Sequence, residues 1–241
     1  MNFLKRFMKK YFGVYLLVVS LFIGAATLMT RTVTAIAEAL PVPRTATIVI
    51  DPGHGGEDGG ATSCTGVLES QLNLEISLRL NDLLRFLGYN TKMIRTTDTA
   101  VYTNGKTIAE KKVSDLKNRV KLVNETENAL LLSIHQNLFT DGRYSGAQVF
   151  YGPTQGSQRL AESTQSMLVS ALNPGSRRMC KPADSVYLMQ HINCTGILVE
   201  CGFLSNSDEE AKLRTPEYQK RICCVIASAA DQFLTNAESV I

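Results

Sequence analysis

In IVIDPGHGG, residues 48–56, an apolar run ends in Asp51, and a histidine comes next among glycines. Such a run reads as a buried strand. It opens into a loop whose glycines let backbone approach a ligand closely. The chain holds three histidines, His54, His135 and His191. A second apolar run, LLLSI, precedes His135, and a third, ILV, ends in Glu200. Strand ends that offer His, His and Glu point to one site at one edge of a sheet.

Outward from that stretch, strand and helix patterns alternate. Strands are expected at 45–50, 90–95, 129–134, 146–151, 186–189 and 196–200. Leu72, Ile76, Leu80, Leu83, Leu84 and Leu87 recur at helical spacing before Gly88, which stops the helix. Residues 98–112, polar and containing Asn104-Gly105, read as a loop. Further helices are expected at 114–127, 157–172, from Ser207 with its acidic first turn, and at 216–234. This alternation implies an α/β fold, a single domain with a mostly parallel or mixed central sheet and helices on both faces. In open α/β sheets the site lies beyond the carboxyl ends of the strands. His54, His135 and Glu200 fall there, and Glu69 adds a fourth candidate just before the first long helix.

The front of the chain reads as an address. Lys5, Arg6, Lys9 and Lys10 precede an uncharged stretch at 11–30, the pattern of a secretory signal or a membrane anchor. Ala35-Ile36-Ala37 has the small-x-small form of a cleavage site, while the apolar stretch is about as long as a spanning helix requires. Residues 1–37 are therefore expected to be a signal peptide or anchor helix, 38–44 a linker, and 45–236 the working domain, exported from the cytoplasm. With Arg31 and the four basic residues above set aside, the formal +3 of the chain becomes −2 over residues 38–241. Nothing in that remainder marks a nucleic-acid binder. Export permits disulfides, yet none of the six cysteines forms C-x-x-C. Most are expected to be buried free thiols, with a Cys180–Cys194 bridge as an alternative.

Two His and two Glu suit a single metal ion. A catalytic zinc commonly takes three protein ligands and leaves a fourth position open. Zinc lowers the pKa of water and polarises a carbonyl, and a further carboxylate can carry a proton to a leaving amine. Each residue also has a plainer reading. His54 could cap the turn, His135 could end its strand without a ligand, and Glu69 could be a solvated acid. Glu200, at the end of a buried strand, is costly unless paired. His191 reads as structural or substrate-rimming. Asp51 reads as a cap on backbone amides or as a support for His54. Arg95 and Asn137 are weak substrate-binding candidates, with an Arg95–Asp98 surface ion pair as the plainer alternative.

Four motifs occur in order: Asp51-Pro52-Gly53-His54-Gly55-Gly56; Gly66-Val67-Leu68-Glu69; Ser133-Ile134-His135 with Asn137; and Val199-Glu200-Cys201-Gly202-Phe203-Leu204-Ser205-Asn206. Together they resemble zinc-dependent N-acetylmuramoyl-L-alanine amidases of the Amidase_3 family. The resemblance spans about residues 45–234. It implies one zinc ion on His54, Glu69 and His135, with Glu200 as the catalytic carboxylate. It also implies cleavage of the amide between muramic acid and the L-alanine of the peptidoglycan stem. Ser70 and Cys201 depart from the family pattern, where Lys and an aliphatic residue are common. Residues 141–145 leave no space for the zinc-blocking helix of some relatives, so an activating protein partner would act in another way. The block at 103–119 and the turn at 143–147 resemble the spore-cortex branch, which helps make muramic-δ-lactam. A zinc peptidase acting within the stem, a wall-binding module without turnover, and a cysteine nucleophile using Cys201 beside His135 are the competing readings.

Overall fold

The computed structural model describes residues 45–238 and, ahead of them, residues 12, 16, 19–25, 27 and 29, which are helical. The chain divides into two units, Met1–Pro43 and Arg44–Ile241. Most of the expected signal or anchor, and the whole of the expected linker at 38–44, lie outside the described residues. No helix among the described residues is long and apolar enough to cross a membrane.

The second unit is built on six strands: β1 (Thr47–Pro52), β2 (Asn90–Met93), β3 (Ala129–Asn137), β4 (Gln148–Tyr151), β5 (Lys181–Pro182) and β6 (Thr195–Phe203). They form one sheet in the order β2-β1-β3-β6-β4-β5. β1, β2, β3 and β6 run parallel, and β4 lies antiparallel to β6. The expected mixed α/β sheet is what forms. Side chains alternate between the two faces of each strand. Ile48, Ile50, Leu130, Leu132, Ile134, Ile197, Val199 and Cys201 face one cluster. Val49, Leu131 and Leu198 face the other.

The larger cluster is covered by α1 (Glu69–Phe86), α3 (Ser157–Leu172) and α6 (Pro216–Glu238). The α1 stripe of Leu72, Ile76, Leu80 and Leu84 is fully buried, as its spacing requires. Gly88, at φ 85°, ends the helix in a conformation that favours glycine. The other face is covered by α2 (Ile108–Asn124) and the short α4 (Tyr187–His191), and α5 (Ser207–Leu213) comes after β6.

Two local expectations were wrong. The helix expected at 114–127 begins six residues earlier, inside the expected loop, because Thr107 and Glu110 form a capping box. The strand expected at 186–189 is instead helix α4. Leu188 and Met189 are both buried there, and a buried run this short does not distinguish helix from strand.

Candidate metal centre

The carboxyl ends of β1, β3 and β6 converge on one site. β3 and β6 pair so that His135 stands directly beside Glu200. Their register shifts just past that pair, a bulge of the kind that re-aims side chains next to active sites. His54 sits just past β1 in a left-handed backbone conformation at φ 60°, which few side chains tolerate. Glu69 is the first residue of α1 and is buried.

Among the described residues, His54, Glu69 and His135 each offer a ligand atom within 4.8 Å of the others. His54 Nε2 lies 3.3 Å from Glu69 Oε2, and His135 Nδ1 lies 2.9 Å from Glu69 Oε1. The imidazoles meet edge to face, with centroids 5.1 Å apart. The donor set, two nitrogens and a carboxylate, is that of a catalytic zinc site with one coordination position left open. Glycines shape the cradle. A Cβ on Gly53 would collide with the His135 ring, and one on Gly60 would sit 2.6 Å from Glu69 Oε2 and 2.7 Å from His54 Cδ2.

The three side chains that could hold a metal ion are oriented by residues that the sequence alone did not single out. Asp58 Oδ2 holds His54 Nδ1 at 3.0 Å, so Nε2 is turned toward the other two ligands. Glu69 accepts from the backbone N–H groups of Ala61 and Gln136 and from Asn73 Nδ2. Asn73 lies four residues along α1 from Glu69, on the same helical face. That spacing was a readable signal; the link between Asp58 and His54 needed the folded loop. Burial disfavours the His54 cation, but bonds to Asp58 and Glu69 outweigh it and raise its pKa to about 9. Burial likewise raises Glu69, and its bonds to His135 and His54 outweigh that, holding the carboxyl well below its usual range. A metal ion binding here competes with a proton on His54, so uptake releases protons. Asp58→Ala should weaken metal affinity about 10–100-fold, the usual cost of losing a residue that orients a ligand histidine. Metal titration of purified protein against a competing chelator measures it.

Glu200 stands beside this group without belonging to it. Its Oε2 is shut off from solvent and has no hydrogen-bond partner among the described residues. Burial raises its pKa to about 7, assisted by the Glu69 charge and opposed by His135 and His54. A carboxyl poised there can both accept and return a proton near neutral pH.

The remaining candidates fall elsewhere. Arg95 is no cleft residue and forms no surface pair with Asp98. It is buried, and its guanidinium donates to the carbonyls of Pro52, Gly53, Ser70 and Thr97. Asp98 instead accepts from Gly56 N–H. The Asp51 carboxylate is engaged by Arg119 and Ser133 rather than by a backbone amide or by His54. Asn137 closes β3, its carbonyl accepting from Leu204 N–H. His191 stacks on Tyr187, with centroids 4.0 Å apart, at the end of α4. All six cysteines are free, so the Cys180–Cys194 bridge is not formed. Cys201 is fully buried on the sheet face opposite Glu200, and burial pushes its thiol well above the ordinary range. That removes it as a nucleophile.

A parallel-centred α/β sheet bearing two imidazoles, a carboxylate and a separate poised acid carries the donor set that metal-dependent hydrolases use. Comparison with known proteins narrows this. Residues 48–232 match the family model Amidase_3, N-acetylmuramoyl-L-alanine amidase, and the chain belongs to that family. It hydrolyses the amide between N-acetylmuramic acid and L-alanine in peptidoglycan. It is 37% identical over 191 residues to the germination-specific N-acetylmuramoyl-L-alanine amidase of Bacillus subtilis, covering 78% of this chain and 80% of that one. Among solved structures it is similar to the CwlD amidase from Clostridioides difficile in complex with the GerS lipoprotein. There the TM-score is 0.76 and identity 34%, over 79% of this chain and 98% of that one. An N-acetylmuramoyl-L-alanine amidase from Clostridium difficile 630 gives TM-score 0.70 and 31% identity, over 80% and 98%.

Proposed function

We propose that His54 Nε2, Glu69 and His135 Nδ1 hold one zinc ion and that Glu200 carries the proton in amide hydrolysis. The observation that carries this reading is the convergence of three potential ligand atoms beside a carboxylate oxygen that has no partner among the described residues. When bound, zinc would lower the pKa of water toward 7 and polarise the scissile carbonyl. Glu200 takes a proton from the attacking water and returns it to the leaving amine, which needs a carboxyl titrating near the working pH. Asp58 keeps Nδ1 of His54 occupied, so the ring presents only Nε2 to the ion.

Residues 45–236 form the catalytic domain in this reading. Residues 1–37 act as a cleaved signal or an anchor, 38–44 as a linker, and the domain works outside the cytoplasmic membrane on the wall. The similarity to a germination-specific amidase supports spore-cortex peptidoglycan, and muramic-δ-lactam maturation, as the setting. The CwlD structure holds a lipoprotein partner, which supports an activating protein partner for this chain too.

The test is digestion of purified muropeptides by the full chain, with zinc, after chelation, and after zinc is restored. Expected is free stem peptide beginning at L-alanine, abolished by chelation and recovered with zinc. Activity that survives complete metal removal would overturn the zinc assignment, and cleavage within the stem would replace the amidase reading with a peptidase.

A further inference from the structure

His54, Glu69 and His135 come from segments far apart in the chain, and sharing one ion requires each ligand atom to be placed to within about 0.2 Å. The sheet fixes two of these segments. β1 and β3 pair through Pro52 and Ile134, and Gly53 N–H donates to the Ile134 carbonyl at 3.0 Å. His54 and His135 each follow directly from that junction. Glu69 has no such tie. It opens α1, which rests on the sheet through Leu72, Ile76, Leu80 and Leu84, and apolar contact is non-directional. The N–H groups of Glu69 and Ser70 reach the carbonyls of Ala61 and Gly59. Those residues belong to the connecting loop, so the bonds do not anchor α1 to the sheet.

The Gly53 carbonyl, one residue before His54, supplies the anchor. It accepts from Arg95 Nη2 at 2.9 Å and from Asn73 Nδ2 at 3.2 Å. The same Nη2 donates to the carbonyl of Ser70 at 2.8 Å, one residue after Glu69. The same Nδ2 donates to Glu69 Oε1 at 3.2 Å. Arg95 Nε and Nη1 take the carbonyls of Pro52 and Thr97. A guanidinium is a rigid planar fork, so acceptors bonded to it are fixed relative to one another. We propose that Arg95 and Asn73 are positioning residues that set the distance between His54 and Glu69, acting together through the Gly53 carbonyl. The inference rests on the reading that His54, Glu69 and His135 share one divalent ion. Arg95 forms no hydrogen bond to any of those three side chains among the described residues, so its effect passes through the backbone at Gly53 and Ser70. Asn73 reaches Glu69 directly and completes the clasp from the helix side.

The experiment measures zinc affinity of the full chain by competition with a chromophoric chelator, for wild type, Arg95→Lys and Asn73→Ala. The visible absorption spectrum of each protein loaded with cobalt(II) is the second readout, because it follows the angles between ligands. Lysine keeps the charge of Arg95 but offers a point donor in place of the fork. Each variant should bind zinc about 10–100-fold more weakly, the usual cost of losing a residue that supports a metal ligand, and should shift the cobalt band. A role in stability alone would lower the unfolding midpoint and leave both readouts unmoved in protein that circular dichroism shows to be folded. Should Arg95→Lys fail to fold, Asn73→Ala carries the same test through the same carbonyl. A folded variant with the zinc affinity and the cobalt spectrum of wild type would overturn the clasp and leave the zinc reading standing. Wild type that binds no zinc would overturn both.

Discussion

Glu200→Gln should lower kcat on muropeptides by about 10²–10⁴-fold, the usual loss when a general base is removed, while the protein still binds one metal ion. Glutamine keeps the shape and occupies the same place beside His135, but it cannot accept and return a proton. Glu200 is not among the residues whose ligand atoms converge, so metal content should be unchanged. Nor should the fold weaken, because Glu200 Oε2 has no hydrogen bond among the described residues to lose. Turnover, metal analysis and denaturant midpoints on one preparation check all three. A variant that loses the metal would make Glu200 a ligand; one that keeps full turnover would end its role as proton carrier.

Arg119→Met should destabilise the protein by about 3–5 kcal/mol, the typical cost of leaving a buried charge without its partner. Arg119 is buried on α2 and reaches Asp51, Asp115, and the carbonyls of Pro52 and His54. It therefore braces the loop that carries His54. Burial works against the Asp51 carboxylate, but Arg119, His135 and Ser133 outweigh it and hold its pKa below the usual range. The folded pKa is thus depressed. The stabilisation is present above the unfolded value near pH 4 and is lost as pH falls toward the folded one. In the variant, Asp51 is buried without a counter-charge, which raises its pKa instead. The stability difference between wild type and variant should therefore be largest at neutral pH and shrink on acidification. Urea unfolding of both proteins at pH 7 and pH 4 measures it. A difference that does not change with pH would show that Arg119 acts through its carbonyl contacts rather than through Asp51.

Much of this site was legible because its parts are local patterns. Short continuous apolar runs announced β1, β3 and β6, and the α1 stripe announced the helix that Glu69 opens. The Gly-rich turn around His54 was equally plain. What resisted reading were partnerships across long separations. Asp51 and Arg119 are 68 residues apart, and nothing near either one signals the other. Arg95 looked like a surface charge because its partners are backbone carbonyls, which every residue possesses. The first turn of α2 was misread as loop because the capping box sits in an otherwise polar stretch.

The order of residues alone therefore determined most of the longer strands and helices, and which side chains share a strand end. These outcomes come from backbone periodicity and from where glycine is tolerated, and both are properties of neighbours in the chain. Only the tertiary structure decided that Asp58 turns His54, that Arg119 braces Asp51 and that Cys201 faces away from the site. Those arrangements depend on strand register and on which helix covers which face, and register is settled by burial summed over the whole sheet.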